Sequence, residues 1–280
     1  MSKQLNSAAV TLALATCMAT AQVRRGPEQR TERLLSRQPV PVQNAIRTQL
    51  GDGQLRAINQ DENDGGIVYD VEMVRNGRTR SFSVGAEGEL LDVEVFLAEL
   101  PAAAQQAIRT KVGTATLGEI DKSIDDGEAS YEVEMISAGK SRTFTVDSGG
   151  KLVDEEIVLA ELPESLQKAI QKEIAGGKIE QITRTFDAGD TLYDVDVSLN
   201  GKTRTLTFDP AGALLSTEEE MALAEVPAAV KTQIQTLANG GRVIGVSKVT
   251  EGGMVSFDVD VRTQGKVESH TVAQDGTEEK

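Results

Sequence analysis

Apolar and polar positions along this chain follow two periods in turn. From Pro163 onward, Leu166, Ala169, Ile170 and Ile174 fall at helical spacing and form one stripe, which predicts an amphipathic helix opened by the proline. Ala175-Gly176-Gly177 supplies the stop. The period then shortens to two. A strand is expected around Ile179 to Thr185, ending in the turn-forming Asp187-Ala188-Gly189-Asp190. Tyr193, Val195 and Val197 next alternate with Asp194 and Asp196, Asn200-Gly201 gives a two-residue hairpin, and Leu206 and Phe208 alternate with Thr203, Thr205 and Thr207 on the way back. A glycine turn leads to Leu214-Leu215 and to the acidic Glu218-Glu219-Glu220, which helix or strand would accommodate. The counterpart Leu90 to Phe96 reads as strand, so a fourth strand is expected in every copy.

The same pattern is written four times. Helix-start prolines stand at Pro41, Pro101, Pro163 and Pro227, with steps of 60, 62 and 64. Strand markers Tyr69, Tyr131, Tyr193 and Phe257 step by 62, 62 and 64, as do the turn glycines Gly88, Gly150, Gly212 and Gly276. The fold class expected is therefore α+β: four tandem repeats, each a helix packed on its own small antiparallel sheet of three to four strands. Their boundaries are placed at 40–100, 101–162, 163–226 and 227–280.

Ahead of the repeats, residues 1–21 read as an export signal: Lys3, a short apolar run from Ala8 to Ala15, and the small-x-small site Ala19-Thr20-Ala21. The run is too short for a permanent span. Lipidation at Cys17 is the alternative, since Leu14-Ala15-Thr16-Cys17 resembles a lipobox, although Thr16 stands where Gly, Ala or Ser is usual. Residues 22–39, with Arg24, Arg25, Arg30, Arg33 and Arg37, read as a basic flexible linker or a short surface helix.

Composition narrows the function. With 29 Lys plus Arg against 44 Asp plus Glu in 280 residues, the net charge of −15 repels phosphate backbones and favours cationic partners, so nucleic acid is excluded as a partner. Aromatics are 3% with no Trp, which leaves few stacking platforms. One cysteine and one histidine rule out thiolate and histidine-rich metal sites and most nucleophile–base arrangements. No Walker motif, phosphate loop or nucleophile elbow is present, so no enzyme, cofactor or metal is expected.

The candidate binding residues are the carboxylate pairs Asp70 and Glu72, Glu132 and Glu134, Asp194 and Asp196, and Asp258 and Asp260. A spacing of two puts both members on the outer face of the sheet, opposite hydroxyls such as Ser81, Thr143 and Thr205. Such a face suits a basic protein or peptide; a solvated face that discourages aggregation is the plainer account. His270 occupies an apolar-face position and is expected to fill a core edge. Arg80, Arg142 and Arg204 are expected to cap the same edge, with partners that the sequence does not identify. Asp61-Glu62-Asn63-Asp64-Gly65-Gly66 has the flavour of a calcium loop but lacks the later glutamate, and reads better as a hairpin turn.

The pattern Leu-Pro-x-x-x-Gln-x-Ala-Ile, then Tyr-Asp/Glu-Val-Asp/Glu, Gly-Lys, a Thr-rich strand and a glycine turn resembles a PepSY-like domain, a family similar in fold to β-lactamase inhibitory protein. The resemblance covers most of Val40 to Lys280 and departs furthest in the last copy, at Phe257 and His270. It implies a helix on an antiparallel sheet, a periplasmic or secreted location, and peptidase-inhibiting or protein-binding roles. The function expected is an exported, non-enzymatic protein-binding module, with an inhibitor of a peptidase or other envelope enzyme as one form of it. A structural or cation-buffering envelope protein is the alternative.

Overall fold

The structure, a computed structural model, describes residues 27–63, 66–125, 127–187, 189–263 and 266–279. The expected signal at 1–21 with Cys17, and the last hairpin's Gln264-Gly265, lie outside the described residues. A helix, α1 (Pro27–Leu35), comes first. One helix is then followed by four strands, four times over: α2 (Val40–Leu50) with β1 (Gln54–Asn63), β2 (Gly66–Arg75), β3 (Arg78–Gly85) and β4 (Leu90–Glu94); α3 (Ala102–Val112) with β5 (Thr116–Asp125), β6 (Glu128–Ser137), β7 (Lys140–Asp147) and β8 (Leu152–Glu156); α4 (Glu164–Glu173) with β9 (Lys178–Asp187), β10 (Asp190–Leu199), β11 (Lys202–Phe208) and β12 (Leu214–Glu220); and α5 (Ala228–Ala238) with β13 (Arg242–Glu251), β14 (Met254–Thr263), β15 (Lys266–Ala273) and β16 (Glu278–Glu279). Glu218-Glu219-Glu220 is thus strand.

The expectation of four repeats with four small sheets is corrected. The described strands form one continuous antiparallel sheet of 16 strands, in chain order from β1 to β16. The fourth strand of each set is the reason. Having paired with the third, it has a second edge of unsatisfied N–H and C=O groups, and the first strand of the next set has another. They join: Asp92 faces Ser123 across β4–β5, Glu155 faces Arg184 across β8–β9, and Glu218 faces Val249 across β12–β13. The residue after each fourth strand continues the ladder. Val95, Ile157 and Met221 donate their backbone N–H to the carbonyls of Ile120, Ile182 and Val246 at 2.8, 2.9 and 2.8 Å.

The helices cover one face only. Val42, Ile46 and Leu50 of α2 pack on Tyr69, Val71, Met73, Phe82 and Val84, and the later helices meet the equivalent residues in three further apolar clusters. The helix starts show why the first spacing of 60 looked irregular. Pro39, not Pro41, is the N-cap of α2, with φ −56° and ψ 150°, and Pro101, Pro163 and Pro227 hold the same post within a few degrees. The Gln of the Leu-Pro-x-x-x-Gln pattern closes this corner. Gln43, Gln105 and Gln167 donate their side-chain amides to the carbonyls of Gln38, Leu100 and Leu162, just before the prolines, at 2.9, 2.9 and 2.8 Å. The turn glycine fits beneath the same helix: Gly150 has φ +80°, and a Cβ there would lie 2.6 Å from the carbonyl oxygen of Ala103.

Part of the segment read as a flexible linker is ordered. Leu35 of α1 is fully buried beside Leu55, and Arg47 of α2 donates to both carboxylate oxygens of Glu32 at 2.7 and 2.9 Å. α1 thereby closes the first core on the side where later cores receive the preceding connector. At the far side, Arg262 of β14 is ion-paired with Glu62 at the end of β1. The sheet therefore curves far enough to bring its first hairpin against its fourth set of strands.

Candidate functional site

The face of the sheet opposite the helices is built from alternation. In β2, Tyr69 and Val71 point into the core, so Asp70 and Glu72 point away. The same parity puts Glu132, Glu134, Asp194, Asp196, Asp258 and Asp260 on that face. Each stands directly opposite a hydroxyl residue of the return strand: Ser83 and Ser81, Thr145 and Thr143, Thr207 and Thr205, Thr271 and Ser269. The aspartates use these neighbours. Asp194 accepts from Thr207 at 2.7 Å, Asp196 from Thr205 at 2.8 Å, Asp258 from Thr271 at 2.7 Å and Asp260 from Ser269 at 2.6 Å. The Ser83 hydroxyl lies 3.1 Å from both Asp70 and Asp92. Glu134, one methylene longer, instead reaches the hydroxyl of Ser141.

Joining the strands into one sheet brings further carboxylates to this face that the sequence reading did not single out: Asp92 and Glu94 of β4, Asp121 of β5, Asp154 and Glu156 of β8, and Glu218 and Glu220 of β12. Their alternation was visible; the strand they pair with was not. The densest group is at β4–β5, where Asp70, Asp92, Glu119, Asp121 and Glu132 line a shallow hollow with Ser81, Ser83 and Ser123. The Asp121 carboxyl is pushed up to about 6, by burial first and then by Asp92, Glu119, Glu94 and Glu132. Burial likewise raises Asp154, against the hydrogen bonds it accepts from Thr145. Among the described residues no three carboxylates converge as a metal site. Asn63 pairs with Gly66 across the Asp61–Gly66 turn, a hairpin as expected, while Asp64 and Gly65 lie outside the described residues.

The helix face carries charge of another kind. Glu99 accepts from Arg80 at 2.5 Å and from the backbone N–H of Phe96 at 2.8 Å, which holds the connector between β4 and α3 in a tight turn. Glu161 does the same with Arg142 and Val158. In the third copy Glu225 takes Lys202 at 2.8 Å instead, and Arg204 stands across the ladder from Glu219. For Arg80 and Arg142, though not for Arg204, the partners that the sequence withheld are thus the glutamates of the recurring Leu-Ala-Glu-Leu/Val-Pro run, whose repetition was the available signal. The guanidiniums of Arg80 and Arg78 also lie 4.4 and 4.7 Å from the centre of the Phe96 ring. His270 is largely buried on this side, its Nδ1 3.1 Å from Glu278.

No helix among the described residues is long and apolar enough to cross a membrane. No family model matches the chain, and no curated protein does. Solved structures similar to part of it include a BLIP-like protein from Bacteroides fragilis, 22% identical with a TM-score of 0.36 over 42% of this chain and 84% of that one. A DUF2874 family protein from Bacteroides uniformis is 20% identical, with a TM-score of 0.37 over 41% and 85%. A candidate periplasmic protein from Bacteroides eggerthii is 21% identical, with a TM-score of 0.37 over 42% and 85%. These partial likenesses show neither a PepSY-like domain nor a tandem of such domains. No activity, ligand or partner is carried over from them.

Proposed function

We propose that this chain is an exported, non-enzymatic protein-binding module of the periplasm or cell exterior, which holds a basic protein or peptide on the open face of its sheet. The observation that carries this reading is the continuity of that face. Carboxylates from β2 to β14 stand on one surface that no described helix covers, and Asp194, Asp196, Asp258 and Asp260 among them are oriented by hydroxyls. A face kept only for solubility needs charge but not oriented charge. Inhibition of a peptidase or another envelope enzyme is the form of binding we favour, with 40–100, 101–162, 163–226 and 227–280 as PepSY-like units sharing the one sheet.

Capture of partners from an envelope extract on the protein, against the double variant Asp194→Lys and Asp196→Lys, tests the reading. A basic partner retained by the first and lost by the second is expected. Equal recovery by both would sink it.

The crowding around Asp121 supports a second reading, in which the face collects cations without a protein partner. Calorimetric titration with calcium chloride separates the two. Heat that is lost in Asp121→Asn supports cation collection, and a flat trace removes it.

A further inference from the structure

The structure contains its own calibration of what the first strand of each set does at its outer edge. β5, β9 and β13 each accept a neighbouring strand there, by the same pairing. Ile58, Ile120, Ile182 and Val246 occupy one position, set by their partners Val71, Val133, Val195 and Val259 on the second strands. The carbonyls of the last three point outward and accept an N–H from the incoming chain. Backbone polar groups alternate along a strand. In β1, those of Ile58, Gln60 and Glu62 therefore point outward, with the Glu62 N–H donating to the Asp61 carboxylate at 2.8 Å, and β1 is the first strand of the sheet among the described residues. Asn59, Gln60, Asp61 and Glu62 are all exposed, while Leu34 and Leu35 of α1 pack in the apolar core with Leu55 and Ile58.

Charge separates β1 from the covered strands. The position of Gln60 is Lys122, Arg184 and Lys248 in the others, and the strands laid against those cations are acidic: Asp92 to Glu94, Asp154 to Glu156, Glu218 to Glu220. In β1 the cation is absent, and Asp61 and Glu62 stand where Ser123 and Ile124, Thr185 and Phe186, and Val249 and Thr250 stand elsewhere. The sign of the accepting strand is reversed. Glu62 already holds a guanidinium, that of Arg262. We propose that the outer edge of β1 from Ile58 to Glu62 accepts an extended, basic segment of a partner protein as a further antiparallel strand. This site is the edge of the sheet, and it does not depend on the open-face reading.

The probe is a capped, alternating lysine–valine octapeptide, with a lysine–proline octapeptide of equal charge that cannot add as a strand. Affinities are measured by fluorescence anisotropy for the full chain and for Gln60→Pro, which removes one outward N–H and leaves the β1–β2 ladder intact. Binding of the lysine–valine peptide at least about tenfold tighter than its proline analogue, and about tenfold weakening in Gln60→Pro, are expected. Asp61→Lys, which replaces an exposed carboxylate bonded only to the neighbouring Glu62 N–H and leaves the pairing of Asp61 with Val68 to the backbone, should weaken it similarly and carries the test if a thermal melt shows Gln60→Pro unfolded. Equal affinity for the two peptides, or unchanged affinity in the variants, overturns the proposal. So does self-association of the protein that Gln60→Pro abolishes without peptide binding, which would make a second copy the occupant.

Discussion

Glu155 and Arg184 face each other across the junction of β8 and β9, with the arginine Nε donating to the carboxylate at 3.0 Å on the helix side of the sheet. Lys111 of α3 takes the other carboxylate oxygen, and the Glu155 side chain is only 6% exposed. Burial acts to raise this carboxyl, but the bonds from Lys111 and Arg184 outweigh it and hold the group below its ordinary range. Removing one member of a buried ionic group leaves the others uncompensated. Glu155→Ala should therefore lower stability by about 3 kcal/mol in chemical denaturation. Glu156→Ala on the opposite face, half-buried but touched only by a long 3.4 Å bond from the Thr143 N–H, should cost less, about 0.5–1 kcal/mol. Because the Glu155 carboxyl is depressed, its contribution is present above the unfolded value of 4.5 and is lost as pH falls through the folded one.

Asp121 has the opposite sign. Its carboxyl is raised from 3.8 to about 6, so the folded state binds the proton more tightly and the charged group destabilises the protein above that range. Asp121→Asn should raise the melting temperature at pH 7 by about 2 °C, equivalent to about 1 kcal/mol after screening of a half-exposed group. At pH 3 both forms are neutral and the gain should vanish. Calorimetry at the two pH values checks this.

Gly150 and Gly127 separate backbone strain from crowding. Both have positive φ, +80° and +85°, but only at Gly150 does a Cβ meet a neighbour, the Ala103 carbonyl. Gly127→Ala should cost about 1 kcal/mol, and Gly150→Ala about 1–2 kcal/mol more, because α3 must shift. Equal losses in urea titrations would contradict the close approach.

The contact of Glu62 with Arg262 joins residues 200 apart in sequence. A double-mutant cycle with Glu62→Gln and Arg262→Gln should give a coupling of about 0.5–1 kcal/mol, falling with salt. Small-angle scattering should show a larger radius of gyration for Arg262→Glu.

Much of this was legible in the chain. Alternation placed Tyr193, Val195 and Val197 inward and the aspartates between them outward, because a strand's side-chain period of two is a local property. Asn200-Gly201 gave its hairpin for the same reason, with φ of +54° and +80°. The single sheet was not legible. Nothing in the alternation of Leu90 to Val95 says what lies on the strand's far edge, so four closed sheets and one continuous sheet share the same local pattern. Glu155 escaped notice because it breaks the alternation, as a charge pointing inward among the acids of β8; it is tolerated only because Lys111 and Arg184, both distant in sequence, arrive beside it. Pro39 was passed over because the nearer Pro41 also suits a first helical turn, and the carbonyl that Gln43 closes identifies the true cap.

The order of strands in the sheet is the order of residues in the chain, and that has a mechanical meaning. A chain drawn out through a narrow channel presents a helix and its strands in the sequence in which they pair, so each set can settle on the one before it without waiting for a distant partner. Pulled from its two ends, the same molecule should yield set by set rather than all at once, as stacked units with nearest-neighbour contacts do. Each rupture would free a length of roughly 200 Å, the span of about 60 extended residues.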